Sequence, residues 1–61
     1  MSKIEKIYYD AAMKLIDIEE ERSETVANRV SQYVYDRYGY NAVSDNTAHE
    51  ALVHAMDLFF I

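Results

Sequence analysis

Two histidines near the carboxyl end of the chain are the residues best suited to chemistry. His49 and His54 lie in the same predicted helix, and Glu50 follows His49. Since the helical zinc motif also combines two histidines with a glutamate, a zinc site is the first chemistry to consider. That motif needs histidines four residues apart on one face, but here the spacing is five. Five residues turn a helix through about 500°, which leaves the two imidazoles about 140° apart. The spacing excludes a metal site built from this helix alone, and no metal or other cofactor is expected.

The sequence also lacks the patterns of other catalytic sites. His54 lies in line with Glu50 and Asp57, which indicates a polar strip facing solvent. No serine is spaced with a histidine and a carboxylate in a way that predicts a nucleophile, and a single glycine cannot build a phosphate-binding loop. A chain of 61 residues seldom encloses a substrate cavity. We therefore expect a protein without enzymatic activity and without catalytic residues.

Length and charge limit the partners of the chain. One domain of this size hides only about 60% of its unfolded surface, and without cysteine no disulfide can support it. Eleven acidic against six basic residues give a net charge of -5, which disfavours nucleic-acid phosphate and anionic lipid as partners. Polar and charged residues directly after Met1 fit neither a signal peptide nor a membrane span. A protein partner and a cytoplasmic location are expected.

The amino-terminal third of the chain has the spacing of an amphipathic helix. No glycine or proline interrupts Lys3–Glu21, and apolar residues recur there at intervals of four and three, as one helix face requires. A second apolar line lies outside this stripe, away from the expected core. The first helix therefore has more apolar surface than its core contacts need. The stripe is Ile4, Tyr8, Ala11, Leu15 and Ile18, and the second line is Tyr9, Met13 and Ile16.

Two further helices complete an all-α domain. Gly39, the only glycine, follows a helical pattern where a left-handed C-cap is needed. Ser23 is a candidate N-cap for that helix, and Asp45 and Thr47 are candidates for the last one. The predicted fold is a small three-helix unit, a helical hairpin followed by a carboxyl-terminal helix, which completes its core as a helical-bundle dimer. Its helices are Lys3–Glu21, Glu24–Tyr38 and Thr47–Phe60, and its core is Ile7, Ala11, Leu15, Val30, Leu52, Ala55 and Phe59.

Two segments leave their secondary structure open. The acidic run from Asp17 to Glu24 breaks the apolar register, which indicates either a tight turn near Arg22 or the polar part of one long helix. Carboxylates oppose the dipole at a helix C-terminus, but the turn is favoured because Ser23 followed by Glu24 is a plausible N-cap and first turn. The β-branched and aromatic residues from Val30 to Tyr35 also suit a short strand.

The last helix is more apolar than a single neighbour can cover. One face carries Ala48, Leu52, Ala55 and Phe59, and a flank of further apolar residues widens it. In a monomer that flank would remain in water, so the sequence predicts a homodimer with a seam on it. The predicted seam is His49, Val53, Met56 and Phe60. Tyr9, Met13 and Ile16 either join this seam or remain available to a different partner.

The tyrosines between positions 33 and 40 have two interpretations. Tyrosine gives broad contact area at low entropic cost and is favoured at protein interfaces. Tyr35, Tyr38 and Tyr40 are therefore candidate interface residues. Alternatively, Tyr33 and Tyr38 cover the core, and only Tyr35 and Tyr40 face water.

The function that these features favour is protein binding. We expect an adaptor or a small inhibitor of a larger protein, which acts by occupying a surface. The alternative from another class is an acidic mimic of nucleic acid that blocks a basic groove on a DNA- or RNA-binding protein. Its acidic surface would consist of Asp10, Asp17, Glu20, Glu21 and Glu24.

One family resemblance concerns the carboxyl-terminal half. The segment Glu24–Phe60 is similar to the two helices of ribbon-helix-helix repressors. It contains a helix, then Gly39, Tyr40 and Asn41, then a serine and an alanine-rich final helix. The resemblance implies an intertwined helical dimer and, as a third function, a dimeric transcription regulator. Those proteins read DNA with a basic strand ahead of the first helix, but the matching run after Ile18 is acidic. No DNA-contacting residue is carried over.

Overall fold

The computed structural model describes all 61 residues and contains three α-helices and no strand. They are α1 (Lys3–Leu15), α2 (Glu24–Tyr38) and α3 (Asn46–Phe59). The predicted all-α three-helix fold is confirmed, and the alternative of a strand from Val30 to Tyr35 is wrong because α2 runs through it. None of the three helices combines the length and hydropathy of a membrane span.

Side-chain caps define where the helices begin and end. The Ser23 hydroxyl accepts the N–H of Val26 at the start of α2, and Gly39, with φ of 81°, closes that helix in the left-handed conformation. Both predicted caps are confirmed. At α3 the cap is Asp45, whose carboxylate accepts the N–H of Thr47 at 2.9 Å. The helix thus begins one residue before the predicted start, and Thr47 lies inside it.

The first helix is shorter than predicted. It ends at Leu15 rather than Glu21, and the residues up to Ser23 form a connection between two separate helices. The Glu20 carboxylate accepts the Asp17 N–H at 2.8 Å, so a side chain binds a backbone group that helix continuation would have used. The acidic run therefore marks a turn, as favoured from the sequence.

Arg29 of α2 holds this turn against the end of α1. Its guanidinium donates to the carbonyl oxygen of Leu15 at 3.3 Å and to the Glu20 carboxylate at 3.1 Å. One side chain thereby satisfies a carbonyl at the end of α1 and an acid in the turn. The turn is fixed by a contact between residues distant in sequence, which apolar spacing does not reveal.

α1 is the central helix of the unit. It packs along both other helices, whereas α2 and α3 touch over a short stretch. Glu5 lies beside His54, and further along Tyr9 lies beside Phe59, so α1 and α3 run in the same direction. α3 therefore ends beside the middle of α1, and an open cleft remains between α2 and α3.

The core is small and is built from hydrophobic residues. Of the seven predicted core residues, Ala11, Val30, Leu52 and Ala55 are buried, whereas Ile7, Leu15 and Phe59 are only half-buried. The buried residues of α1 are Tyr8, Ala11 and Ala12, so Ile7 and Leu15 lie beside the buried face of the helix. Tyr8, Ala12, Ile16, Val26, Val34, Ala42, Ala48, Ala51 and Met56 complete the thirteen buried residues.

Candidate functional site

A hydrophobic groove lies between the second half of α1, with the residues that follow it, and the carboxyl end of α3. It has a volume of about 490 Å³, and all seven residues that line it are hydrophobic. We call it the C-terminal groove. Its lining is Tyr9, Met13, Ile16, Ile18, Phe59, Phe60 and Ile61.

Aromatic rings form one wall of the C-terminal groove. The rings of Tyr9 and Phe59 meet edge to face with centroids 6.4 Å apart, and Phe59 and Phe60 meet in the same way at 5.0 Å. Edge-to-face contact is a preferred geometry for aromatic pairs. The wall is therefore held by contacts within the chain before any partner arrives.

Two further lining residues of the groove, Met13 and Ile18, have largely exposed apolar side chains. Met13 is 61% exposed and Ile18 is 93% exposed. The sequence placed Ile18 on the buried stripe of the first helix, and that prediction is wrong because the helix ends at Leu15. The break of apolar register at Asp17 was the signal available for this. Ile61 was not singled out from the sequence.

The charges beside the groove are negative. Asp17 and Glu19 flank Ile18 in the turn, and neither takes part in a salt bridge. The last turn of α3 contains no basic residue. Lys14, the basic residue in the last turn of α1, extends toward α2, where its Nζ lies 5.8 Å from the centre of the Tyr33 ring. The groove thus joins an apolar floor to an acidic edge.

A second depression, the α2–α3 cleft, has a volume of about 420 Å³. Six of its eleven lining residues are hydrophobic, and the others are charged or polar. Its most exposed apolar residue is Val43, at 92%. The lining is Arg22, Glu24, Ala27, Asn28, Ser31, Ala42, Val43, His49, Leu52, Val53 and Met56.

The predicted dimer seam is divided between these two depressions. Met56 is 1% exposed, so the expectation that it stays in water is wrong: it packs in the core of the single chain. Val53 and Phe60 are half-buried and His49 is exposed. Phe60 lines the C-terminal groove, whereas the other three line the α2–α3 cleft. The homodimer itself stays a prediction.

The second apolar line of α1 is brought together in one place. Tyr9, Met13 and Ile16 all line the C-terminal groove with Phe60. Ile16 is nevertheless 6% exposed, so it belongs to the core at the base of the groove. Tyr9 and Met13 are therefore the members of this line that a partner can reach from outside.

The tyrosines divide differently from the second interpretation, in which Tyr33 and Tyr38 cover the core. Tyr33 and Tyr40 are half-buried against the core, whereas Tyr35 and Tyr38 are 48% and 55% exposed. The rings of Tyr38 and Tyr40 stack with centroids 6.3 Å apart, and the Arg37 guanidinium lies 4.9 Å from the centre of the Tyr33 ring. The expectation that Tyr38 covers the core and Tyr40 faces water is wrong. An interface role for Tyr35, Tyr38 and Tyr40 stays a prediction.

Two of the five residues of the predicted acidic surface already have partners. Asp10 accepts from the Lys6 ammonium at 3.0 Å, and Glu20 pairs with Arg29 at 3.1 Å. No salt bridge involves the other three, Asp17, Glu21 and Glu24. Ion pairing reduces the charge that Asp10 and Glu20 can offer to a basic groove.

The histidines occupy separate places. The Nδ1 of His54 lies 3.4 Å from the Glu5 carboxylate on α1, and the Nδ1 of His49 lies 3.2 Å from the Ala42 carbonyl oxygen. No three histidine, aspartate or glutamate side chains come together in a way that would hold a metal ion. These contacts link α3 to the rest of the fold.

One buried polar atom has no partner. The Tyr8 hydroxyl lies in the core without a hydrogen bond. Burial raises the pKa of Tyr8 above its ordinary value, and the nearby Asp45 and Tyr40 raise it further. The phenol is therefore held neutral inside the fold, away from the C-terminal groove.

Comparison with known proteins gives no match among family models, curated proteins or solved structures. The ribbon-helix-helix resemblance can be judged on the fold alone. The residues before α2 form a turn here and not the strand of that family. The likeness is limited to the order of two helices.

Proposed function

We propose that this chain is a non-enzymatic protein-binding module, an adaptor or a small inhibitor, and that its partner docks in the C-terminal groove. The observation that supports this most strongly is that all seven residues lining the groove are hydrophobic and that one of them, Ile18, is 93% exposed. Apolar surface gathered in one place on a soluble chain marks an interaction site more often than apolar residues scattered singly.

The lining suits a protein side chain better than a small polar substrate. Small-molecule sites combine apolar walls with a few polar groups that fix the orientation of the ligand. Here the Tyr9 hydroxyl is the one polar side-chain group among seven lining residues. Burying an exposed isoleucine or methionine contributes about 1.5–3 kcal/mol, so Met13 and Ile18 offer a useful part of a binding free energy.

The architecture favours a helical partner segment. Partners that add a strand need a free sheet edge, and this fold has no strand. Two parallel helices instead leave a groove between their ridges, into which the apolar face of a third helix packs. α1 and α3 are parallel, and the C-terminal groove begins where Tyr9 meets Phe59.

Self-association is the competing occupant of the exposed apolar surface. Light scattering at micromolar concentration separates the two cases, because the single chain has a mass of 7.1 kDa. A mass near that value supports docking of a foreign partner. A doubled mass that Ile18→Gln returns to the single-chain value would overturn the proposal in favour of a second copy.

Site-specific photo-cross-linking tests the proposal in cells. A photoreactive amino acid replaces Ile18 in one protein and Val43 in a matched control, since these residues are 93% and 92% exposed but line different depressions. We expect one defined protein adduct from position 18 and not from position 43. The purified adduct protein should then bind the Ile18→Gln variant at least about tenfold more weakly than the original chain, as loss of a buried isoleucine implies. It should bind the Val43→Gln variant with the same affinity as the original chain.

Equal loss of affinity in Ile18→Gln and Val43→Gln would contradict docking in the C-terminal groove. A steep loss of affinity with rising salt, without sensitivity to Ile18→Gln, would instead favour the acidic nucleic-acid mimic, whose contacts are charges.

A further inference from the structure

We infer that the segment received by the C-terminal groove is a basic amphipathic helix, with apolar residues on one face and lysine or arginine beside them. This inference rests on the proposed function and adds the chemistry of the partner. Charge complementarity carries it: a hydrophobic lining lies next to acidic side chains and to the end of α3, whose last turn has no basic residue.

The first source of negative charge is the turn after α1. Asp17 and Glu19 stand on either side of the exposed Ile18 and have no basic partner. A partner residue that covers Ile18 must pass close to both carboxylates. Opposite charge on the partner lowers the free energy of that approach, and like charge raises it.

The second source is the end of α3. Its last residue, Phe59, lines the groove, so the negative end of the α3 dipole lies there. A basic residue in the last turn usually offsets such an end, and α3 has none. The end of α1 differs, because the Arg29 guanidinium donates to the Leu15 carbonyl oxygen. Lysine or arginine from a partner can supply the charge that the end of α3 lacks.

The same charges disfavour a second copy of the chain in this groove. A two-fold pairing of identical grooves would place Asp17 and Glu19 of one copy near those of the other. Each copy also has a net charge of -5. Like charges set opposite each other oppose association, whereas a basic segment gains from the same arrangement.

Three designed peptides test the chemistry of the occupant. Each has about 18 residues, long enough to form a helix, with identical leucine and phenylalanine positions along one face. The remaining positions carry lysine in the first peptide, glutamine in the second and glutamate in the third. Isothermal titration at low and at moderate salt gives their affinities for the full chain.

We expect affinity to fall in the order lysine, glutamine, glutamate, with about tenfold between the first two at low salt and less at moderate salt. Ile18→Gln should weaken the lysine peptide about tenfold or more, whereas Val43→Gln should not. The double variant Asp17→Asn, Glu19→Gln should reduce the preference for lysine over glutamine and leave the glutamine peptide unaffected.

The outcomes separate this inference from the proposed function. Binding that depends on Ile18 but shows equal affinities for the three peptides, or prefers glutamate, would overturn the basic partner and keep the protein-binding module. Failure of all three peptides to bind in an Ile18-dependent way would overturn the helical docking site, and with it both proposals. The predicted order together with loss in Ile18→Gln supports both.

Discussion

The C-terminal groove and the α2–α3 cleft have similar volumes, about 490 and 420 Å³, but they expose different chemistry. The groove exposes Ile18 and Met13 above a hydrophobic base. The cleft has its large apolar residues, Leu52 and Met56, buried in the core at its base. Volume therefore does not distinguish a docking surface from an incompletely filled gap between helices. The residues around the exposed apolar side chains do, since Val43 of the cleft is as exposed as Ile18 of the groove but lies among charged and polar residues.

Charged and polar residues accompany the apolar residues of the cleft. Arg22, Glu24 and Ser31 line it. The lining of the groove contains no charged residue, and its one polar side-chain group is the Tyr9 hydroxyl. The two regions therefore differ in the residue types that surround their exposed apolar side chains.

Replacing one methionine in each region by alanine should give the largest difference in the free energy of unfolding. Met56→Ala removes a side chain that is 1% exposed at the base of the cleft and should lower the free energy of unfolding by about 2–5 kcal/mol. Met13→Ala removes one that is 61% exposed in the groove and should change it by about 0.5 kcal/mol or less. Urea denaturation followed by circular dichroism measures both.

Met56→Leu serves as the control, because it keeps most of the volume and should cost less than about 1.5 kcal/mol. If Met56→Ala is too unstable to give a folded baseline while Met56→Leu folds, the side chain of Met56 still contributes more to stability than that of Met13. Equal stability losses in Met13→Ala and Met56→Ala would mean that the groove, like the cleft, is part of the core.

The methionines also show what the sequence could and could not predict. Local patterns were sufficient for three helices, the Ser23 cap and the Gly39 cap, since each depends on neighbouring residues. Periodicity placed Met13 correctly outside the core but left Met56 in water. Which face of α3 is covered depends on α2 and α1 packing on it together, and that arrangement is not encoded in the spacing of one helix.

Ile18 shows a second limit. A helical stripe predicted it as buried, because the spacing from Leu15 is correct for one face. The helix ends at Leu15, before it reaches Ile18. The Glu20 carboxylate binds the Asp17 N–H, and Arg29 of α2 binds the Leu15 carbonyl oxygen and Glu20. The exposed wall of the groove therefore follows from tertiary contacts. Tyr9 and Met13, by contrast, were identified from the sequence as surplus apolar surface.

Tyr8→Phe should have an intermediate effect and should leave the groove unchanged. The Tyr8 hydroxyl is buried without a hydrogen bond, and a buried unpaired polar group destabilises a fold by about 1–3 kcal/mol. Its removal should leave the free energy of unfolding unchanged or raise it by about 1 kcal/mol at pH 7. A loss of more than that would show that the hydroxyl has a partner in solution.

The same substitution should alter the response to alkaline pH. Below about pH 10 the phenol is protonated in both the folded and the unfolded chain. Above it the unfolded chain releases the proton first, because the pKa of Tyr8 is raised in the fold, so stability falls as pH rises. The free energy of unfolding of Tyr8→Phe, measured by urea titration, should fall less steeply between pH 10 and 11 than that of the original chain. Identical slopes would contradict the raised pKa.

The smallest effect is expected where the two regions are joined. Arg22 in the turn pairs with Asp57 on α3, and both side chains are about half exposed. Solvent screens such pairs, so Arg22→Gln should cost about 1 kcal/mol or less. Asp57→Asn should give a similar value, and the double variant should cost little more than either change alone. Additive losses in the double variant would show that the two side chains act independently.

Amide chemical shifts recorded during titration with the lysine-containing helical peptide test the central claim most directly. The account predicts that the largest changes occur at Met13, Ile18 and residues 59–61, around the C-terminal groove. Amides of Ala27, Val43 and Val53, around the α2–α3 cleft, should move little. Changes centred on the cleft, or spread evenly over the acidic surface, would contradict docking in the groove.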